Sequence, residues 1–286
     1  LRHGLVPKRN AVRQESNPTQ RTRAMNYTDL ISSIAFSADN TSRVNVPEDW
    51  MQGRTTYGGL TAALCLKAAL PLAGGRPLRS AQIAFVGPAS GELVSVPTVL
   101  REGKNTAFIS VRMTGPEGVV AECIFAFGTA RESSLDFSNM IAPKVTLPDE
   151  TQQFFPDERR RPAFSRHFNV RLAKGGRPIS GAPDGEIVLW LRHRDETAPM
   201  DAVTLLAIAD SPPPAALSML TVPGRISSMT WMAEFLTDDI STENGWFLAQ
   251  HIAQTAQQGY SSQAMRLWNS KGEPIMVGRQ TIAVFG

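Results

Sequence analysis

The chain has 286 residues, 42% of them apolar and 19% charged, which is room enough to bury a full core in one large or two ordinary domains. Its longest apolar runs fall far short of a membrane span. The net charge of +3 belongs to residues 1–24, where Arg2, Lys8, Arg9, Arg13, Arg21 and Arg23 face only Glu15; that surplus of +5 leaves the rest at −2, with no electrostatic case for nucleic acid.

The tail, 1–24, is Arg-rich, acid-poor and followed by Met25, a plausible initiator. Non-native upstream sequence, a disordered arm and a transit-type peptide all stay open, and the tail is set aside. Residues 25–135 read as a first unit. Tyr27–Asp39 predicts a short opening helix, Ser42–Val46 a strand, and Trp50–Tyr57 a loop. Gly58–Leu70 (GGLTAALCLKAAL) then predicts a helix apolar or small on nearly every side, which other structure must wrap. Its two glycines leave the first backbone N–H groups uncovered, and those donors together with the helix dipole suit a polarised carbonyl.

Ala81–Val86, Leu93–Leu100, Ala107–Met113 and Val119–Phe127 follow as period-2 segments rich in Val, Ile, Phe and Thr, broken by Gly, Pro and Asn. One buried helix followed by four antiparallel strands predicts a sheet wrapped around a helix. Arg131–Pro162 then loses periodicity, so 136–162 is expected to be a linker between two domains.

From 163 to 286 the same order returns: strands at Ser165–Leu172 and Glu186–Arg192, a helix at Met200–Asp210 stopped by Pro212–Pro214, and strands at Ser227–Leu236, Trp246–Gln254, Ser261–Trp268 and Ile275–Phe285. Equivalent elements recur at about 140 to 155 residues, a duplication of pattern without visible identity. The expected fold class is α+β, two such units sharing one sheet, so that the head of one helix faces the other half.

Cys65 and Cys123 read as small buried hydrophobes, and the four histidines lack ligand spacing. No metal and no cofactor are expected, and the setting is expected to be reducing and cytoplasmic. Asp210 is the anomaly: Val203, Leu206, Ala207 and Asp210 fall at i, i+3, i+4 and i+7, so a carboxylate ends the core-facing stripe. It reads either as a buried general base or as a helix stop with a local hydrogen bond. Ser228 and Thr230 are expected to share a strand face, and Gln280 shares the parity of Ile282 and Val284 as the polar residue on an apolar face.

Tyr57-Gly58-Gly59 before an Ala/Leu-rich helix, Ala209-Asp210 ending the second helix, Ile226-Ser227-Ser228-Met229-Thr230 on a strand, and Gly278-Arg279-Gln280 on the last strand together resemble the double-hotdog acyl-CoA thioesterases of the type II (TesB-like) family. The resemblance runs from about Thr28 to Phe285. It implies two tandem hotdog units and hydrolysis of acyl-CoA by a water held by Asp210, Ser228 and Gln280, with Gly58 and Gly59 at the helix head and the Gly59 N–H on the thioester oxygen. It also implies an acyl-CoA partner and, with exposed sheet edges, a possible homo-oligomer. Thr230 in place of the family's second aspartate, the altered segment Trp231-Met232-Ala233-Glu234 and the prolines after Asp210 depart from the pattern and bear on substrate shape. A non-catalytic acyl-thioester binding protein and a hotdog enoyl-CoA hydratase are the alternative readings.

Overall fold

The computed structural model describes residues 24–157 and 161–285; all but the last residue of the basic tail, and part of the expected linker, lie outside them. The N-terminal half runs α1 (Tyr27–Ser32), the short strands β1 (Ala35–Phe36), β2 (Ser42–Asn45), β3 (Met51–Gln52) and β4 (Thr55–Thr56), the helix α2 (Gly58–Ala69), then β5 (Leu78–Phe85), β6 (Glu92–Glu102), β7 (Thr106–Gly115) and β8 (Gly118–Gly128). After β9 (Gln152–Gln153), the C-terminal half adds β10 (Phe168–Gly175), β11 (Glu186–His193), α3 (Ala202–Ala209), β12 (Arg225–Phe235), β13 (Phe247–Gln257), β14 (Tyr260–Asn269) and β15 (Pro274–Phe285).

Apart from the small β3–β4 ribbon, all these strands form one antiparallel sheet of 13 in the order β1-β2-β6-β7-β8-β5-β12-β15-β14-β13-β11-β10-β9. Around the central β5–β12 pair, β2-β6-β7-β8-β5 is mirrored by β11-β13-β14-β15-β12, each set preceded or interrupted by its helix at the same place. This is the expected duplication, two sheet-wrapped helices fused edge to edge. The two sheets become one where Trp231 pairs with Ile83 and Ala233 with Ala81.

α2 forms because nothing after Gly59 interrupts it until Pro71, and all of its residues except Gly58 and Lys67 are buried. α3 starts where Asp201 accepts a hydrogen bond from the Thr204 N–H at 2.8 Å and ends ahead of the proline run. The helices pack directly against each other: a Cβ on Gly59 would lie 2.7 Å from the Ala207 carbonyl oxygen, so glycine permits their approach. Both share one apolar core that includes residues of both halves, from Tyr27 to Met276.

Several boundaries differ from expectation. The opening helix stops at Ser32 rather than near Asp39, because the Ser33 hydroxyl bonds back to the Leu30 carbonyl and the chain then extends into β1. The strand expected from Ser165 begins at Phe168, after a short 3-10 turn at Ala163–His167. The aperiodic connector folds back over the outer sheet face, where Met140, Ala142 and Val145 cover Trp190, Trp246 and Trp268. The Trp190 and Trp268 indoles donate to the carbonyls of Thr146 (2.9 Å) and Met140 (3.2 Å).

Candidate active site

The two helix heads are built differently. Tyr57 precedes α2 and gives it no side-chain cap, so its first N–H groups are uncovered, whereas α3 is capped by its own Asp201. At the opposite ends the contrast recurs: α2 finishes at Leu70, and α3 finishes at Asp210. The uncapped head of α2 therefore meets a carboxylate supplied by the other half.

The meeting is close. A Cβ built on Gly58 would lie 2.6 Å from Asp210 Oδ2 and 3.2 Å from the Phe85 ring, so the bare glycine leaves the space the carboxylate occupies. Asp210 is enclosed by protein yet part-accessible at its surface, and burial raises its pKa from 3.8 to about 7. Two donors oppose that rise: the Gln280 side-chain amide, whose Nε2 lies 2.5 Å from Asp210 Oδ1, and the Gly59 N–H, which faces the same carboxylate. The Tyr57 phenol, fully buried and with no partner for its hydroxyl among the described residues, also sits at this helix head, and burial followed by the Asp210 charge pushes its pKa up.

Gln280 belongs to a row of side chains that crosses the core face of the sheet. Val111, Cys123, Ile83, Trp231, Gln280 and Gln263 are successive cross-strand neighbours, all buried. The row is apolar in the N-terminal half and carries two carboxamides in the C-terminal half. Gln263 Nε2 donates to Gln280 Oε1 at 2.7 Å, and the Ala215 backbone N–H donates to Gln263 Oε1 at 2.9 Å.

Ser228 lies opposite Ile282 on this same face, half-buried, and makes no hydrogen bond to Asp210 or Gln280 among the described residues. Its expected companion is elsewhere. Between Ser228 and Thr230 the pairing with β15 slips by one, leaving Met229 as an extra residue, and this bulge turns Thr230 to the exposed face opposite Thr281. The expectation that Ser228 and Thr230 share a face is thus corrected. Asp210, Gln280, Gly58 and Gly59 come together as a cluster, with Ser228 on the adjoining strand; the expectation missed Gln263, which shares the parity of the buried Met265 and Leu267 and was findable by the reasoning applied to Gln280. The Gly59 N–H expected to hold a thioester oxygen is turned toward Asp210. Among the described residues, no group of three or more His, Cys, Asp and Glu could hold a metal ion, and no helix is long and apolar enough to cross a membrane.

The fold is that of a double-hotdog protein in which a carboxylate and a carboxamide from the C-terminal half meet the head of the N-terminal helix. The sequence model of the acyl-CoA thioesterase N-terminal domain matches residues 46–128, and that of the C-terminal domain matches residues 143–284. Taken together these cover most of the chain, which belongs to the acyl-CoA thioesterase family, in a double-hotdog form. Similar solved structures include a hot dog fold protein of unknown function from Alicyclobacillus acidocaldarius (22% identity, TM-score 0.82, covering 92% of this chain and 99% of that one). A proposed thioesterase from Novosphingobium aromaticivorans shares 25% identity with a TM-score of 0.73, over 89% of this chain and 99% of its own. An acyl-CoA thioesterase II, TesB2, from Mycobacterium marinum shares 18% identity with a TM-score of 0.70, over 90% and 97%. A comparison with curated protein sequences gives no match.

Proposed function

We propose that this protein hydrolyses acyl thioesters, with acyl-CoA as the substrate class, to the free acid and CoA through a water activated by Asp210. The observation that carries the reading is the placement of a carboxylate of pKa about 7 against the uncapped head of α2, held by a side-chain amide. A base needs a pKa near the working pH, and burial supplies it.

In this reading the thioester carbonyl lies over the first turn of α2, where the Gly58 and Gly59 N–H groups and the helix dipole receive the charge that develops on its oxygen. Such a donor is worth roughly 3 kcal/mol in comparable acyl-transfer sites. The incoming carbonyl takes the Gly59 N–H over from Asp210, which strips one stabilising donor from the carboxylate and makes it a stronger base. Water adds to the thioester carbon while Asp210 takes its proton. The tetrahedral intermediate then expels the sulfur, the C–S bond breaks, and Asp210 returns the proton to the thiolate. Gln280 and Ser228 hold the water from the sheet side, and no covalent enzyme intermediate forms.

Free-thiol release from a panel of acyl-CoAs, with Asp210→Asn beside wild type, tests this. Release by the wild type with loss of roughly 10²–10⁴-fold in the variant is expected. Absence of release at every chain length points instead to a binding protein, and a change in enoyl absorbance without thiol release points to a hydratase.

A further inference from the structure

We propose that Gln263, clamped by the backbone N–H of Ala215, is a positioning residue that fixes the direction in which the Gln280 carboxamide meets Asp210; the proposal rests on the hydrolase reading above for its consequence, though not for its geometry. A carboxamide can present either its oxygen or its NH₂, and at Asp210 the two choices are opposite in effect. An NH₂ stabilises the ionised base, and an oxygen repels it.

The choice is settled two residues away. A backbone N–H can only donate, so the Ala215 N–H, 2.9 Å from Gln263, requires the oxygen of that side chain. The Gln263 NH₂ must then face Gln280, whose oxygen it meets at 2.7 Å, and the Gln280 NH₂ is left for Asp210. Gln263 and Gln280 are 1% and 2% exposed, so water has no access with which to satisfy a flipped amide.

The relay is closed on itself by the chain. Ala215 follows Asp210 after Ser211 and the three prolines Pro212–Pro214, none of which carries an N–H, so Ala215 offers the first backbone donor after the proline run. It opens the 3-10 turn Ala215–Met219, which is braced from outside by the Ile179 N–H on the Leu217 carbonyl (2.8 Å) and the Ala182 N–H on the Ser218 carbonyl (2.9 Å), and from within by the Ser218 hydroxyl on the Ala215 carbonyl (2.8 Å). A stiff segment thus carries the base at one end and the anchor that orients its partner at the other. The proline run, which departs from the family pattern, acquires a role. Among the described residues the titratable group facing Asp210 is the Tyr57 phenol at the head of α2, which stays protonated, while β14 and β15 present amides.

The test uses the full chain with ¹³C-labelled aspartate carboxylates, Asp210 being assigned by its loss in Asp210→Asn. Gln263→Met removes both hydrogen bonds at similar volume. Gln263→Leu removes the same two hydrogen bonds without introducing a charge, and serves should the Met variant fail to fold. In both variants the Asp210 titration midpoint is expected to rise by about one unit, and kcat/KM for thiol release at pH 7 to fall about fivefold while recovering toward wild type at pH 9. A midpoint that stays in place in a folded variant, or a loss of rate equal at both pH values, overturns the positioning role. A risen midpoint in a protein whose wild type releases no thiol upholds the orientation and removes the hydrolase reading instead.

Discussion

Replacing Asp210 with Asn should make the protein more stable and inactive, and the stabilisation should depend on pH in a stated direction. The carboxyl titrates at 3.8 when unperturbed and at about 7 when folded, because burial disfavours its charge more than Gln280 and the Gly59 N–H favour it. An acid whose folded pKa is raised binds its proton more tightly in the native state, so native stability is undiminished below about pH 4 and falls progressively as pH rises toward 7. A shift of about three units at about 1.4 kcal/mol each gives a penalty of about 4 kcal/mol at pH 8, an upper limit for a group that is part-accessible. Asn does not titrate, and its oxygen still accepts from Gln280. Urea unfolding of wild type and Asp210→Asn at pH 4.5 and pH 8 measures the difference directly. The variant should gain roughly 2–4 kcal/mol relative to wild type between the two pH values while thiol release is lost. A stability difference that is flat with pH would refute the claim that this carboxylate is held in a charge-averse site.

Gly58→Ala should preserve the fold but cost most of the thiol release, since the added methyl competes with Asp210 Oδ2 at 2.6 Å; circular dichroism and the thiol assay together check it. Gly59→Ala should instead weaken the fold, because its methyl meets the Ala207 backbone carbonyl at 2.7 Å, and thermal melting should show the loss. Asp201→Ala removes the cap of α3, so it should cost about 1 kcal/mol of stability and leave kcat/KM unchanged. Ser228→Ala should lower kcat without moving the acid limb of the pH–rate profile, because no hydrogen bond ties its hydroxyl to Asp210; a moved limb contradicts that placement.

The parts of this fold legible in the sequence are those governed by burial on every side or by strict alternation. α2 stands out because its apolar coat leaves it no solvent face, and the order of strands after each helix exposes the duplication. Asp210 is visible because a charge ends an apolar stripe, and Gln280 because an amide interrupts an apolar parity. What escapes is whatever breaks alternation without a Gly or Pro to announce it. The bulge at Met229 is such a case: Ser228-Met229-Thr230 reads as regular strand, yet one extra residue sends Thr230 to solvent. The connector's return is equally silent in its own Ser- and Pro-rich residues; the signal lies in its target, since β11 is apolar on both faces, with Val188 and Trp190 on the side away from the core.

Duplication of the fold also explains why a carboxylate meets one helix head and not the other. A pair of related helices facing one another offers two heads and two tails, and each head must have its first N–H groups satisfied. α3 solves this locally with Asp201, and the end of α2 that finishes the related position is Leu70, so that pairing is self-sufficient and apolar. α2 does not solve it locally. Its head, kept bare by Gly58 and Gly59, is left to a carboxylate from the far half, and the cost of burying that carboxylate is offset by the Gly59 N–H and by the Gln280 amide of β15, itself held by Gln263 of β14. The row that crosses the sheet records the same division, Val111, Cys123 and Ile83 on one side and Gln280 and Gln263 on the other. An uncapped head and a polar row are each destabilising alone. Placed together in one half-interface they stabilise the buried charge that either would otherwise exclude, and a mutation that restores a local cap to α2 while leaving Asp210 in place should therefore raise the pKa of that acid by depriving it of the Gly59 donor.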